Sequence, residues 1–176
     1  MTFALAHPAV SGPVQVFLWG IPLLLVVLAF VPDLPESPSV PDWEVLLVAA
    51  ALTALFLFAP RRLRYRLTPD GLEIRHLLGT TVLSGVGMRA RSTAGRLGIR
   101  TFGAGLPGYL SGAFSFVSDE VKSVTAAASA GSGGILVGLP SNGAASPQPL
   151  RWYFLTPADP DRMLQELAVR GVVVSP

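Results

Sequence analysis

The chain has 176 residues, 51% of them hydrophobic and only 14% charged, and its net charge of +2 conceals an uneven distribution. Soluble domains carry roughly 25% charged residues, so much of this chain is unusually poor in charge. Cysteine is absent, which excludes disulfides and thiolate metal sites. Residues 1–60 hold no lysine or arginine and four acids, Asp33, Glu36, Asp42 and Glu44. Residues 61–100 hold nine arginines against Asp70 and Glu73, and the remainder holds four bases against five acids. The formal charge therefore runs −4, +7 and −1 along the chain.

The first elements in chain order are two apolar runs, "VQVFLWGIPLLLVVLAFV" at 14–31 and "WEVLLVAAALTALFLFA" at 43–59. As helices they extend about 26–27 Å, against a bilayer hydrocarbon core of roughly 30 Å. Pro13 and Pro32 bracket the first run, Pro41 and Pro60 the second, and Pro22 implies a kink inside the first. No basic n-region precedes residue 60, so the first run does not read as a cleaved signal peptide. The expectation is a transmembrane helical hairpin over 13–60. The arginines that follow it place a short tail (1–12) and the C-terminal domain in the cytoplasm of a multi-pass plasma (inner) membrane protein. Ala49, Ala50, Ala51 and Ala54 offer small residues for contact with other membrane helices.

From residue 61 to 176 the pattern is β-rich. "LRYRLT" and "LEIRHL" alternate around the turn "PDG" and predict a hairpin over 63–78. Further strands are expected at 88–92, 96–102, 109–117, 121–127, 134–139 and 150–155, separated by "STAG", "SDE", "SAGSGG" and "PSNGAASPQP". "TPADPDRMLQELAVRG" then predicts an amphipathic helix, capped by Thr156 or Asp159, with Met163, Leu164, Leu167 and Ala168 on one stripe. Seven or eight antiparallel strands followed by one helix make an α+β domain, an open barrel or strongly bent sheet whose mouth the helix covers.

Two apolar runs, a basic junction and "RYRLTPDGLEIR" resemble the opening of membrane-anchored bacterial pleckstrin-homology-like (PH-like) domains, and "GAGLPGYLSGAF" and "WYFLTPADPDRMLQEL" are also similar to stretches of that family. The resemblance covers 61–171. It implies a bent antiparallel sheet with a C-terminal capping helix, used for binding and assembly and not for catalysis. Phosphoinositide-binding members carry a basic-x-basic pair on the second strand, where this chain has Glu73-Ile74-Arg75.

Gly103, Gly105 and Gly108 match G-x-G-x-x-G, but a dinucleotide loop needs a helix after the glycines, and "YLSGAFSF" alternates as a strand. The glycines are therefore expected to shape a β–β connection, which leaves Leu106, Pro107 and Tyr109 as apolar residues available to a partner. Arg61, Arg62, Arg64 and Arg66 are candidate contacts for anionic lipid. Arg89, Arg91, Arg96 and Arg100 form a second candidate patch for a partner, and no aromatic platform interleaves with them as nucleic-acid binding requires. His7 and His76 stand apart from acids and from each other, so no catalytic, metal or cofactor site is expected. The expected function is a non-catalytic, membrane-anchored binding or assembly module that docks a protein partner or self-associates. An accessory subunit of a transporter or envelope complex is the alternative.

Overall fold

The computed structural model describes residues 2–5, 20, 23–24, 27, 42–84, 87–118, 120–140 and 150–175. The chain divides into two units, one of residues 1–8 and 60–176, the other of residues 9–59.

In the second unit, helix α1 begins at Asp42 and runs to Arg62. Of the expected span at 14–31, Gly20, Leu23, Leu24 and Val27 are helical and the rest lies outside the described residues, as does the connecting loop through Ser37. Among the described residues no helix is long and apolar enough to cross a membrane, which corrects the transmembrane hairpin and the multi-pass placement drawn from it. The physical reason lies in the ends of α1. Asp42 and Glu44 occupy its first turn, and Pro60, Arg61 and Arg62 its last. The uncharged stretch between them, residues 45–59, extends only about 22 Å at 1.5 Å per residue. Trp43, Leu47, Val48 and Phe58 are nonetheless exposed.

Among its described residues the first unit holds ten strands in two sheets and one short helix, not the single antiparallel bent sheet of the PH-like expectation. The smaller sheet has the order β1-β2-β3-β4, formed by Thr2–Phe3, Arg64–Thr68, Gly71–His76 and Gly79–Leu83. Residues expected to be a free tail thus supply an edge strand, with Thr2 opposite Arg66 and Phe3 opposite Tyr65. Alternation along β2 and β3 sends Leu67, Tyr65, Leu72 and Ile74 inward and Arg64, Arg66 and Arg75 outward.

The larger sheet comprises β5 (Arg89–Leu106), β6 (Tyr109–Val117), β7 (Ser123–Ala128), β8 (Ser132–Pro140), β9 (Leu150–Leu155) and β10 (Val173–Ser175). Its order is β10-β5-β6-β7-β9-β8, and a further pairing of β5 with β8 closes five of the strands into a ring. The pairings of β7 with β9 and of β10 with β5 are parallel. Helix α2 (Pro160–Val169) is not the last element, because β10 follows it. Asp159 caps α2 by accepting from the Arg162 amide at 3.0 Å, and Met163, Leu164 and Leu167 are buried.

Phe114, Phe116, Val124, Ala126, Ala128, Leu136 and Phe154 form one apolar cluster of the ring, with the Phe116 and Phe154 ring centroids 5.4 Å apart. The alternate residues Ala127, Ile135, Val137 and Leu155 are also fully buried. The central strands are therefore covered on both faces, which is why they read as nearly unbroken apolar runs. Tyr65 ties the two sheets together. Its buried hydroxyl donates to the Ala127 carbonyl and accepts from the Thr156 amide at 3.1 Å. Thr156 Oγ1 in turn accepts from the Ser129 amide at 2.7 Å. Burial raises the Tyr65 hydroxyl above the usual tyrosine range, against the opposing effect of its bonds to Thr156.

Candidate functional site

Three places carry the candidate residues. The first is the distal half of β5. Residues 89–93 and Arg96 pair with β8, and residues 89–91 also pair with β10 on the other side. Beyond Arg96 the Leu97 amide still donates to the Gly131 carbonyl at 2.8 Å, and from residue 98 to 106 the ladder pairing is with β6 alone, so this stretch leaves one backbone edge unpaired among the described residues. Register shifts at Leu97/Arg100 and Arg100/Phe102 mark bulges in this arm. Ile99 and Phe102 are each 79% exposed, and Arg96 and Arg100 are exposed beside them. No acid occurs between Glu73 and Asp119, a stretch holding Arg75, Arg89, Arg91, Arg96 and Arg100. The arm thus exposes two apolar side chains beside Arg96 and Arg100 and carries no acid.

The tip of that arm is packed where its middle is exposed. Leu106 pairs with Tyr109 across a two-residue turn in which Gly108 has φ 74°, so the third glycine of the motif is a turn residue. Gly103 and Gly105 lie within β5, and a strand, not a helix, follows. Leu106 and Pro107 are half-buried. Tyr109 is only 4% exposed, and its hydroxyl accepts from the Leu77 amide at 3.1 Å. The tip therefore folds back onto the β3–β4 turn. There Ser111 Oγ lies 3.5 Å from His76 Nδ1, and His76 Nε2 lies 3.1 Å from Thr81 Oγ1. The hydroxyl–imidazole contact is long, and a hydroxyl stands where a base-orienting carboxylate would be needed.

The second place surrounds Arg91. Its guanidinium pairs with Glu120 and stands 5.4 Å from the centre of the Trp152 ring. Ser92, Thr93, Gly95 and Phe116 line an open groove of about 770 Å³ beside it. Arg91 is thus committed to internal partners and belongs to a different environment from Arg96 and Arg100. Arg89 is exposed on the same strand.

The third place is the outer face of the four-stranded sheet. Arg64 and Arg66 project from β2, and Arg61 and Arg62 from the last turn of α1, all exposed. Register brings Arg75 directly opposite Arg64, and Glu73 opposite Arg66. Arg75 Nε also lies 3.1 Å from Glu73 Oε1. The Arg64–Arg75 opposition depends on strand register, which residue patterning alone does not supply. Among the described residues no group of three or more metal-capable side chains occurs.

No protein-family model matches the chain, and no curated protein or solved structure matches it either.

Proposed function

We propose that this chain is a non-catalytic protein-binding module that captures an extended segment of a partner along the distal half of β5. The observation that carries this reading is a strand segment, 98–106, that among the described residues is paired on one side only and bears Ile99 and Phe102 at 79% exposure. A free strand edge offers main-chain donors and acceptors, and strand addition satisfies them while flanking side chains set specificity. The bulges and the exposed Arg96 and Arg100 discourage two copies from pairing edge to edge, because bent edges and like charges oppose it. They favour a segment that alternates acidic and apolar residues.

The test uses a synthetic peptide of alternating valine and glutamate added to the full chain. Binding should slow amide exchange across residues 98–106, and Ile99→Asp with Phe102→Asp should weaken it about ten-fold or more. Unchanged exchange at a peptide concentration that saturates any other site would sink the strand-addition reading. A dimer in sedimentation, with protection of the same residues before any peptide is added, would assign the edge to a second copy instead.

A further inference from the structure

Cross-strand neighbours that share a face have Cβ atoms about 4.5–5.5 Å apart, and like charges placed so are destabilising. Arg64 and Arg75 are such a pair, both exposed, at the end of the sheet where β2 begins and β3 finishes. Arg61 and Arg62 lie immediately before β2 and are also exposed. Glu73, which bonds Arg75, is the one acid on β2 or β3, so positive charge predominates at this end. Arg75 gives its Nε to Glu73, and the exposed Arg64 with the terminal nitrogens of Arg75 can take an external anion.

A second feature stands at the same end. The β3–β4 turn follows His76 directly and carries Leu78, which is 97% exposed, the most exposed of the large apolar side chains described. This turn is held from behind. The Leu77 amide donates to the Tyr109 hydroxyl, and His76 contacts Thr81 and Ser111. Leu77 is thereby anchored against the arm, while its neighbour Leu78 is left in solvent. Val82, exposed on β4, adds apolar surface to the sheet.

We propose that Arg61, Arg62, Arg64, Arg75 and Leu78 form a docking surface for an anionic lipid bilayer. The proposal is independent of strand capture at β5. A small soluble anion would explain the arginines but not an anchored, fully exposed leucine beside them. An acidic interface with an apolar layer beneath it satisfies both. Arginines take the phosphates of the headgroups, and the leucine enters the region below them. The contact is peripheral, made by the sheet end and its turn, and requires no spanning helix.

Flotation of the full chain with vesicles tests this. Two compositions serve, phosphatidylcholine alone and phosphatidylcholine mixed with phosphatidylglycerol, so that any attachment through the exposed apolar residues of α1 appears equally in both. The wild-type chain should partition more strongly to the anionic vesicles, and added salt should reduce the difference. Arg64→Gln with Arg75→Gln should lower partitioning to anionic vesicles about thirty-fold and leave neutral vesicles unaffected. Leu78→Ser should lower it about ten-fold. All three side chains are exposed, so thermal unfolding of the variants should match wild type and exclude a folding defect. Equal partitioning to both vesicle types, or a double variant that binds like wild type, overturns the proposal. Displacement from anionic vesicles by inorganic phosphate at matched ionic strength would assign the arginines to a free anion, and overturns it as well.

Discussion

The two halves of β5 share one strand and follow opposite physical rules. In the proximal half Ala90 is fully buried, Arg91 is paired and stacked, and the backbone is bonded on both sides by β8 and β10. In the distal half, beyond the Leu97 amide's bond to Gly131, the backbone is bonded on one side among the described residues, two bulges interrupt the ladder, and Ile99 and Phe102 face solvent. The proximal half is a wall of the ring, and its sequence is constrained by packing. Leu97 still packs against the ring cluster, but Ile99 and Phe102 beyond it are almost wholly exposed and are free to serve a contact. Position along one strand therefore separates side chains that pack the ring from side chains that face solvent.

The sharpest way to break that comparison is to truncate one phenylalanine from each side of it. Phe154 is fully buried within the ring cluster, and Phe154→Ala should destabilise the domain by about 3–5 kcal/mol. Phe102 is the same residue type at 79% exposure, and Phe102→Ala should change stability by no more than about 0.5 kcal/mol. Chemical denaturation of the two variants gives both values. A loss above about 2 kcal/mol for Phe102→Ala would mean that the arm is covered in solution and belongs to the core.

A smaller, more local effect is expected at Gly103. Its φ of 104° suits glycine, and a Cβ there would stand 2.1 Å from the Ser111 carbonyl oxygen. Its cross-strand partner Gly112 has φ 121° and faces the Phe102 carbonyl in the same way. The two strands of the arm touch backbone to backbone at this pair, which accounts for the glycines better than phosphate binding does. Gly103→Ala should cost about 1 kcal/mol or more, taken from the arm alone. Amide exchange should accelerate across residues 97–112 while β7 and β9 keep their protection. Acceleration spread evenly over the ring would erase the distinction between the two halves.

How much of this was legible depended on where local chemistry and tertiary context agreed. Helix α2 was legible because Asp159, Pro160 and the stripe through Met163, Leu164 and Leu167 all name the same element. Strand β9 was legible from "LRWYFL", an apolar run between a proline-rich loop and Thr156. Strand β4 was not, since "GTTVL" opens on a glycine, lacks an apolar alternation and buries only Leu83. "STAG" looks like a turn between two strands, yet it is continuous strand within β5. A Cβ at Gly95 would fall 2.5 Å from the Phe116 ring, so that glycine serves packing and not reversal. The apolar run in α1 suggested a membrane span because its hydropathy is high, while the acids and Pro60-Arg61-Arg62 at its ends shorten it. At the candidate sites, alternation alone sent Arg64 and Arg66 outward. The opposition of Arg75 to Arg64, the burial of Tyr109 and the free edge of β5 all required knowing which strands are neighbours.

The weakest expected effect lies where the arm meets the smaller sheet. His76 is half-buried beneath the arm, with Ser111 and Thr81 at its two ring nitrogens and no carboxylate among its described hydrogen-bond or ion-pair partners. Burial disfavours the charged imidazole and pushes its pKa below the ordinary value of 6.5. The sign follows from proton counting. Between the lowered folded pKa and 6.5, the unfolded chain binds a proton that the folded chain does not, so stability rises with pH through that interval. The His76 contribution is complete above 6.5 and declines as the pH falls below it. Thermal unfolding of the wild-type chain and of His76→Gln, followed across this interval, isolates the effect from the carboxylates that titrate lower. The difference between them should narrow as pH falls, and amide exchange near Leu77 and Ser111 should quicken in the wild type first. A difference that widens on acidification would show that His76 gains an anionic partner on protonation, and the arm would then be held more tightly in acid, not less.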